Sequence, residues 1–379
     1  MKKIEEIPPR KPVSVWHKIV STLLALANLG AVIGLIVSGY SGAINPIEHP
    51  TAPAVAMTFP FWLLGTVVCT IFTLFFRWKV ALIGIVGMAL AYSPIIEYCP
   101  IHLPKRAAAD ADTFTFMSYN VFGLVDQNNN YSGDLNPTIS YILQNDADIV
   151  CLQELSAIHS NPQLHITPAQ LDSLHSQYPY VFIGSHAQAI FSKFPVEPIQ
   201  IGFKYSGEAG SADMACFRTE IRGRKITIFN IHLQSFDLVK SDREMFAKLK
   251  HLKGTEEEIA MMKNHLMNKI REAGPQRVRD TEELIRYIKK FGGPNVIVCG
   301  DFNDVPGSYP LRMLADEHLK EVYPEVGFGP MITYNAGGFN FRIDHILYRG
   351  DIRPLEMSRG SIKSSDHYPI TTIFEIENK

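Results

Sequence analysis

The stretch NVIVCGDFND, residues 295–304, joins a buried strand to polar residues at its end. Its apolar run predicts a strand, and Gly300 predicts where that strand ends. Asp301 and Asn303 follow two positions apart, so the alternation of an extended chain places both on one side of the strand's exit. These ten residues are equally compatible with an ordinary strand that ends in a solvated loop. The interpretation therefore depends on the rest of the chain.

Composition limits the classes of protein to which the chain can belong. It has 379 residues, 46% of them hydrophobic, and a formal net charge of -2. That charge argues against a nucleic-acid binder that works by bulk electrostatics, although a local basic patch stays open. The five cysteines form no CxxC pair and no zinc-binding spacing. We therefore expect no disulfide framework.

The first hundred residues are far more apolar than the rest. Between Lys18 and Arg77 there is no other Lys or Arg, and Glu48 is the one acidic residue. A cleaved signal peptide would have one apolar core of about 7–15 residues, whereas here two further apolar runs follow the first. Runs of roughly 17–25 residues can cross the hydrocarbon core of a bilayer. The sequence predicts three transmembrane helices, at about 19–40, 55–76 and 80–98.

The distribution of basic residues predicts the orientation of these helices. Five Lys or Arg residues precede the first predicted span, two more lie at positions 77 and 79, and residues 41–54 contain none. The positive-inside rule therefore places the N-terminus and the turn at 77–79 in the cytoplasm. Lys105 and Arg106 count against this orientation, but the seven basic residues that favour it outnumber them. We expect a multi-pass protein of the cell (inner) membrane, with the following domain on the extracytoplasmic side.

The composition becomes that of a globular domain near Ala107. We divide the chain into a membrane region, 1–106, and one domain, 107–379. Several predicted strands are apolar on both faces, which indicates α/β architecture with two packed sheets and outer helices. The predicted strands cover 113–121, 148–155, 180–184, 189–192, 214–221, 225–233, 295–300, 342–348 and 370–375. The predicted helices cover 138–145, 167–178, a long stretch within 239–272, and 277–291, with Gly274 and Pro275 separating the last two.

Polar residues stand at or near the ends of several other apolar strands. Ligand sites often collect side chains from several strand ends in this way. These short stretches are SYN (118–120), LQE (152–154), NIHL (230–233), RIDHIL (342–347) and SDHYP (365–369).

The residue types in these stretches suit the hydrolysis of a phosphoester. Glu154, Asn120 and Asp366 offer hard oxygen ligands for Mg²⁺, with Mn²⁺ as an alternative ion. His367 has an ordinary pKa near 6.5, so its ring can take a proton from water at neutral pH. Asp344 would fix the tautomer of that ring.

Three further side chains would donate hydrogen bonds to phosphate oxygens: Asn303, Asn230 and His232. Metal-assisted phosphoester hydrolysis is the reaction that uses the whole set. Structural roles remain open for individual residues, because Asn120 could cap the end of its strand and Glu154 could be a solvated residue in the loop that follows its strand. His232 could likewise be a hydrogen-bonded core histidine.

His345 is assigned a structural role. It adjoins Asp344, and alternation along the strand turns it to the opposite face.

Taken as a series, SYN, LQE, NIHL, GDFN, RIDHIL and SDHYP resemble the endonuclease/exonuclease/phosphatase superfamily. That fold is shared with pancreatic-type deoxyribonuclease and the abasic-site endonucleases, and the resemblance covers roughly residues 113–376. It implies a four-layer α/β/β/α sandwich and a divalent-metal phosphoesterase. It also implies roles for individual residues. Asn120 and Glu154 match the metal site, and His232 matches a histidine on the phosphate side. Asp301 and Asn303 match the pair that orients the nucleophile and contacts phosphate, and Asp366 and His367 match the closing pair, in which His367 is the base and Asp344 its partner.

Departures from the family pattern leave the substrate open. Tyr119 stands where abasic-site enzymes usually have Trp, and Ile343-Asp344-His345 stands where inositol 5-phosphatases have Cys-Asp-Arg. The disulfides of secreted deoxyribonuclease are absent. Several N-terminal spans together with GDFND resemble membrane-tethered members of bacterial type.

Three functions follow from these patterns. The first is a membrane-anchored, Mg²⁺-dependent phosphodiesterase or endonuclease. The alternative is a phosphatase or phosphodiesterase that acts on lipid headgroups or small phosphoesters. A catalytically inactive binding module fits less well, because every expected catalytic position is filled. The expected partners are the lipid bilayer and a phosphoester substrate, and no obligatory protein partner is inferred.

Overall fold

The computed structural model describes residues 15–103, 105, 111–124, 135–155, 166–184, 187–203, 211–236, 242, 255–336 and 338–377. The chain divides into two compact units, Met1–Gly39 with Thr58–Ile95, and Tyr40–Met57 with Ile96–Lys379. This division differs from the predicted boundary at residue 106. Residues 40–57 and the segment from Ile96 onward group with the large unit, because they pack on it.

The helices in chain order are α1 (Val15–Tyr40), α2 (Ala52–Ala56), α3 (Phe59–Phe76), α4 (Trp78–Leu90), α5 (Tyr92–Tyr98), α6 (Pro137–Asn145), α7 (Pro168–Gln177), α8 (Glu256–Phe291), α9 (Tyr309–Asp316) and α10 (Val322–Val326). Short 3-10 turns cover Ser41–Ala43 and Phe122–Leu124.

Among the described residues, two helical stretches are long and apolar enough to cross a membrane, Val15–Ala43 and Ala52–Phe76. The prediction of a third single helix over 80–98 is wrong. Two helices, α4 and α5, occupy this region and are bent by 69° relative to one another. Pro94 explains the break, because proline has no N–H to donate and its ring clashes with the carbonyl four residues earlier. The pair counts as a third candidate only if it forms one broken span.

The strands are β1 (Thr113–Asn120), β2 (Ile149–Gln153), β3 (Tyr180–Ile183), β4 (Ala189–Ser192), β5 (Val196–Ile199), β6 (Asp213–Ile221), β7 (Arg224–His232), β8 (Asn295–Asp301), β9 (Lys320–Glu321), β10 (Tyr334–Ala336), β11 (Phe339–Phe341), β12 (Asp344–Arg349), β13 (Ile352–Arg359) and β14 (Ile370–Ile376). They form two six-stranded sheets, in the orders β13-β14-β1-β2-β4-β3 and β5-β6-β7-β8-β12-β9, and the hairpin β10-β11. Both sheets are mixed, because β1 and β2 are parallel, as are β7 and β8.

Three apolar layers hold this unit together. Between the sheets, Phe116 and Ile149 share one buried cluster with Ile228 and Ile297. The outer face of the first sheet packs on α6 and α7. The outer face of the second sheet packs on α8 and α9. The predicted pair of packed sheets with outer helices is therefore confirmed, in the layer order α/β/β/α.

Two features of the globular region differ from the predictions. Helix α8 continues through Gly274 and Pro275, which were expected to end it. Gly274 lies against Pro46 and Pro53, so tertiary packing overrides a local helix breaker. The strands β5, β9, β10, β11 and β13 were not predicted. The helix predicted within 239–272 is present from Glu256 onward, and its earlier part lies outside the described residues except for position 242.

Candidate active site

The sheet topology brings the predicted polar residues to one edge of the two sheets. Asn120 is the last residue of β1, and Glu154 follows β2 directly. His232 and Asp301 end the parallel neighbours β7 and β8 and are register partners. Asp344 begins β12, which is antiparallel to β8, so it too pairs with Asp301. The C-terminal ends of the parallel strands β7 and β8 and the N-terminal end of the antiparallel strand β12 therefore lie side by side.

Asp301 lies at the centre of this group. Its Oδ2 accepts a hydrogen bond from Asn120 Nδ2 at 3.0 Å and lies 3.6 Å from His232 Nε2 and 3.4 Å from His367 Nε2. Its Oδ1 accepts from the backbone N–H of Asn303 at 2.9 Å. Burial raises the pKa of the Asp301 carboxyl, an effect that the two histidines oppose and a neighbouring carboxylate reinforces. A cation bound beside it would stabilise the ionised form.

Glu154 completes the oxygen-rich side of the site. Its Oε1 accepts from the same Asn120 amide at 2.9 Å and lies 3.7 Å from His232 Nε2. The backbone of Glu154 has φ 57°, and that of Asn303 has φ 51°. Left-handed backbone is uncommon for residues other than glycine and costs about 1–3 kcal/mol where the structure holds it. Two site residues are thus held in strained conformations by the surrounding fold.

His367 and Asp344 form a buried pair. The ring Nδ1 lies 2.8 Å from Asp344 Oδ2. Since a carboxylate can only accept, Nδ1 carries the proton and Nε2 faces Asp301 and the centre of the site. Burial by itself would lower the pKa of His367, but Asp344 and Asp301 outweigh it and hold that pKa well above its usual value. The ring of Tyr334 lies 4.9 Å from the histidine ring and closes one side.

Backbone contacts hold this pair in position. Thr333 Oγ1 accepts from the N–H groups of Ile343 and Asp344 at 3.0 and 3.1 Å. Ser365 Oγ accepts from the N–H of His367 at 3.1 Å and donates to the carbonyl of Asn120 at 2.8 Å. The loop that carries His367 is thereby tied to the end of β1.

Gly300 is required by the close approach of β7 and β8. Its φ is 136°, and a Cβ at this position would overlap the carbonyl oxygen of Ile231. Only glycine lets the two strands bring His232 and Asp301 together here.

Two predicted site residues have other surroundings than expected. The prediction that Asn230 donates to phosphate needs correction: its Nδ2 donates to the carbonyls of Leu152 and Ala189 at 2.9 and 3.1 Å. Its Oδ1 accepts from Gln153 Nε2 at 2.6 Å, so the amide is used between the sheets. Asp366 is buried near His367, but within the described residues it belongs to neither group of clustered metal-ligand atoms.

A second layer of polar residues, missed by sequence reasoning, lies behind Asn303. The fully buried Arg277 of α8 donates to the carbonyl oxygen of Asn303 and lies 3.1 Å from Asp304 Oδ2. His345 Nε2 lies 3.0 Å from the carbonyl oxygen of Asp304, and its Nδ1 lies 2.7 Å from Glu321. Both ring nitrogens of His345 thus have partners away from Asp301, as expected for a structural residue. Asp304 was visible in GDFND, whereas Arg277 had no signal in the sequence.

The donor set fits a divalent metal ion. Ligand atoms of Glu154, His232 and Asp301 lie within 4.8 Å of one another, and so do those of Asp301, Asp344 and His367. The carboxylates of Glu154 and Asp301 suit a hard cation such as Mg²⁺. The Asn120 amide presents its nitrogen to these carboxylates, and its Oδ1 accepts from the N–H of Phe122 at 3.1 Å. Like charges packed this closely also favour a bound cation that offsets their repulsion.

Comparison with known proteins identifies the class. A family model described as the Endonuclease/Exonuclease/phosphatase family matches residues 117–367. A second model, described as a domain of unknown function (DUF8431), matches residues 21–98. No curated protein matches the chain. Because the first match covers more than half of the chain, the protein belongs to the endonuclease/exonuclease/phosphatase family and is a metal-dependent phosphoester hydrolase. The resemblance seen in the sequence is confirmed.

Solved structures similar to this chain come from several sources. A family protein from Bacteroides thetaiotaomicron is 15% identical, with a TM-score of 0.45, over 71% of this chain and 100% of that one. A humanized TDP2 of D. rerio is 18% identical, with a TM-score of 0.44, over 70% and 99%. ANGEL2, a 2',3'-cyclic phosphatase in complex with adenosine-2',3'-vanadate, is 16% identical, with a TM-score of 0.40, over 73% and 99%.

Proposed function

We propose that this protein is a membrane-anchored, Mg²⁺-dependent phosphodiesterase in which His367 acts as the general base. The observation that carries the proposal is the buried His367–Asp344 pair, whose Nε2 faces the oxygen-rich cluster around Asp301. A base must lie within hydrogen-bond reach of the water that it deprotonates, and Nε2 is the ring atom directed into the site.

Each side chain then has a defined task. His367 Nε2 takes the proton of the attacking water, and Asp344 stabilises the imidazolium that forms. Asn303 and His232 are the proposed hydrogen-bond donors to the phosphate oxygens; Nδ2 of Asn303 already donates to the carbonyl of Leu233 at 3.0 Å and keeps a second N–H for this task. Glu154 and Asp301 would hold the metal, with Asn120 and Asp366 as further predicted ligands. A bound Mg²⁺ supplies Lewis-acid polarisation of the phosphoester and offsets its negative charge.

The membrane anchor is proposed from the helices and from one packing relation. Residues 40–57, which follow α1, pack on the large unit: Gly42 adjoins Gly307, and Pro53 adjoins Gly274. The segment after α5 does so too, since Ile101 pairs with Phe328. Both segments therefore occupy one side of the membrane. If α1 and α3 each cross it, the chain must cross once more before Ile96, and the bent pair α4–α5 is the stretch available.

This arrangement supports three crossings, although the third is a broken helix instead of a continuous one. The basic residues before α1 and at positions 77 and 79 would then lie in the cytoplasm, and the catalytic unit outside it.

The catalytic proposal is tested with the full chain in vesicles and bis(p-nitrophenyl) phosphate as a soluble diester. We expect turnover that requires Mg²⁺, stops with EDTA, and falls about 10²–10⁴-fold in His367→Ala. Glu154→Gln should lose activity and bind Mg²⁺ more weakly, because it removes a charged ligand. The matched control is Glu197→Gln, an exposed carboxylate on β5, which should keep full activity. Near-normal turnover in His367→Ala would contradict the proposed mechanism.

A further inference from the structure

The segment that joins α1 to α3 packs on the chain segments that carry active-site residues. Ala56 and Met57 pack in one apolar cluster with Val305, Phe341 and Ile343. Val305 follows the GDFND loop, and Ile343 precedes Asp344. The linker is thus built into the structure that positions the catalytic residues.

This cluster contacts a residue that lies beside the catalytic histidine. Tyr334 packs against the cluster, and its ring lies 4.9 Å from that of His367. Met57 is only two residues before Phe59, where α3 begins. Met57 lies within the candidate span Ala52–Phe76, and Thr58 alone joins it to α3. Met57 and Tyr334 thus pack against the same apolar cluster, and the ring of Tyr334 lies beside that of His367.

A second segment next to a membrane helix carries exposed apolar side chains. α5 ends at Tyr98, and Ile101 then forms a β-bridge with Phe328. Ile101, Leu103 and Phe328 are 71%, 80% and 68% exposed. Three large apolar side chains grouped on one short bridge are costly to leave in water. We call these three residues the apolar edge.

The apolar edge continues into a cavity beside the catalytic loop. The chain runs from Phe328 through Gly329 to Pro330, Met331 and Ile332, which line a cavity of about 410 Å³. The polar part of the same cavity contains Tyr323, Asn335, Asn340, Arg359 and Tyr368.

The cavity is connected to the catalytic residues through the backbone. Tyr368 follows His367, and its N–H donates to the carbonyl of Thr333 at 2.7 Å. The guanidinium of Arg359 lies 4.1 Å from the ring of Tyr368, so a cation and an aromatic face stand side by side in the wall. An anionic or polar group of a substrate has partners here in addition to those at the metal site.

We infer that the natural substrate is a phosphoester carried by a lipid of the membrane in which the chain is anchored. This inference rests on the proposed function. The apolar edge contacts the acyl region of the bilayer, the phosphate of the lipid reaches the cluster around Asp301, and the cavity with Arg359 and Tyr368 receives a polar part of the headgroup. Amphipathic surfaces of this kind bury their apolar side chains at the headgroup–acyl boundary.

The experiment compares two substrates in the same proteoliposomes. The full chain is reconstituted in vesicles of phosphatidylethanolamine, phosphatidylglycerol and cardiolipin, and release of water-soluble phosphorus or loss of lipid is measured. Hydrolysis of bis(p-nitrophenyl) phosphate is measured in parallel. A triple variant, Ile101→Ser with Leu103→Ser and Phe328→Ser, is compared with Met261→Ser, which removes an apolar side chain that is 64% exposed on α8.

We expect the wild type to cleave both substrates. The triple variant should lose at least about tenfold in lipid hydrolysis and keep its rate on the soluble diester, and Met261→Ser should keep both rates. A photoreactive amino acid at Phe328 should crosslink to lipid, and one at Met261 should not.

The outcomes separate the two proposals. Absence of Mg²⁺-dependent cleavage of the soluble diester would overturn the proposed function itself. An enzyme that cleaves the soluble diester but none of the three lipids would overturn the lipid inference alone. So would faster cleavage of single-stranded DNA than of lipid, or equal lipid hydrolysis in the triple variant and the wild type. Because soluble activity is measured on every variant, a misfolded protein is recognised at once.

Discussion

Two carboxylates surround the ring of His367, and they decide how it behaves with pH. Asp344 bonds Nδ1, and Asp301 lies on the other side of the ring. Together they raise the pKa of His367 well above its usual value despite burial, which acts in the opposite direction. In the metal-free protein, this pair stabilises the fold at pH values below about 6.5, and that contribution is lost as the pH rises through the folded pKa.

Replacing Asp344 tests this account. We expect Asp344→Asn to shift the acid limb of the kcat/KM profile to lower pH, because one of the charges that favour the imidazolium is gone. Turnover should also fall, since the tautomer is no longer held. The measurements are a pH–rate profile and an NMR titration of the metal-free chain. Asp148→Asn, which removes a carboxylate bonded to Thr115 far from the site, should leave the limb unchanged. An acid limb that does not move in Asp344→Asn would exclude the pair.

Arg277 is predicted to position Asn303. It is completely buried, donates to the carbonyl of Asn303 and pairs with Asp304. Arg277→Met should destabilise the fold by about 3–5 kcal/mol, because Asp304 is left buried without its partner. It should also lower kcat by about 10–100-fold with a smaller effect on KM, since small displacements of catalytic groups are costly. Thermal melting and steady-state kinetics measure the two effects.

A double-mutant cycle distinguishes positioning from general destabilisation. If Arg277 acts through Asn303, the kinetic loss of Arg277→Met should nearly disappear in an Asn303→Ala background. Arg349→Met is the matched control, because Arg349 also donates to backbone carbonyls, those of Glu317 and Gly293, but away from the site. It should lower stability without a change in kcat. Fully additive kinetic losses would show that Arg277 does not act through Asn303.

At the scale of the elements, α2 packs on the catalytic unit. Ala56 and Met57 cover Val305, Phe341 and Ile343. The buried Arg342 donates to the carbonyl of Glu97, which lies near the end of α5. A fragment that begins at residue 107 therefore lacks two parts of its own core.

We expect the fragment 107–379 to melt at a lower temperature than the full chain and to hydrolyse a soluble diester several-fold more slowly. The reason is that the wall behind Asp344 and Tyr334 loses its apolar cover. Thermal melting and kinetics with bis(p-nitrophenyl) phosphate check this. In the full chain, Met57→Ser should reproduce part of the loss and Met261→Ser none of it. Equal stability and activity of the fragment and the full chain would show that α2 is dispensable.

At the scale of the whole molecule, the packing relation between residues 40–57 and the catalytic unit makes a topological prediction. A reporter fused after Lys379 and one inserted in the loop 44–50 should report the same compartment, and one inserted near position 77 the opposite one. Alkaline phosphatase and green fluorescent protein fusions measure this, because each is active on only one side of the inner membrane. Opposite compartments for the first two fusions would exclude the broken third crossing.

The sequence by itself determined the parts of this protein that depend on local patterns. Long apolar runs predicted α1 and α3, and short apolar runs ended by polar residues predicted β1, β2, β7 and β8, because hydrophobic periodicity and turn residues act over a few positions. The same strand-end motifs predicted that Asn120, Glu154, Asp301 and His367 come together.

Tertiary structure decided what depends on distant partners. The short strands β9, β10 and β11 have only two or three residues each, which is too few for an alternating pattern to appear in the sequence. Alternation placed Asn230 and His232 on one face, but only the sheet packing turned Asn230 toward Gln153 and His232 toward Asp301. Arg277 reaches Asn303 from a different element, and α2 joins the catalytic unit from within the membrane region. Such contacts are set by how the layers pack, which no local sequence window contains.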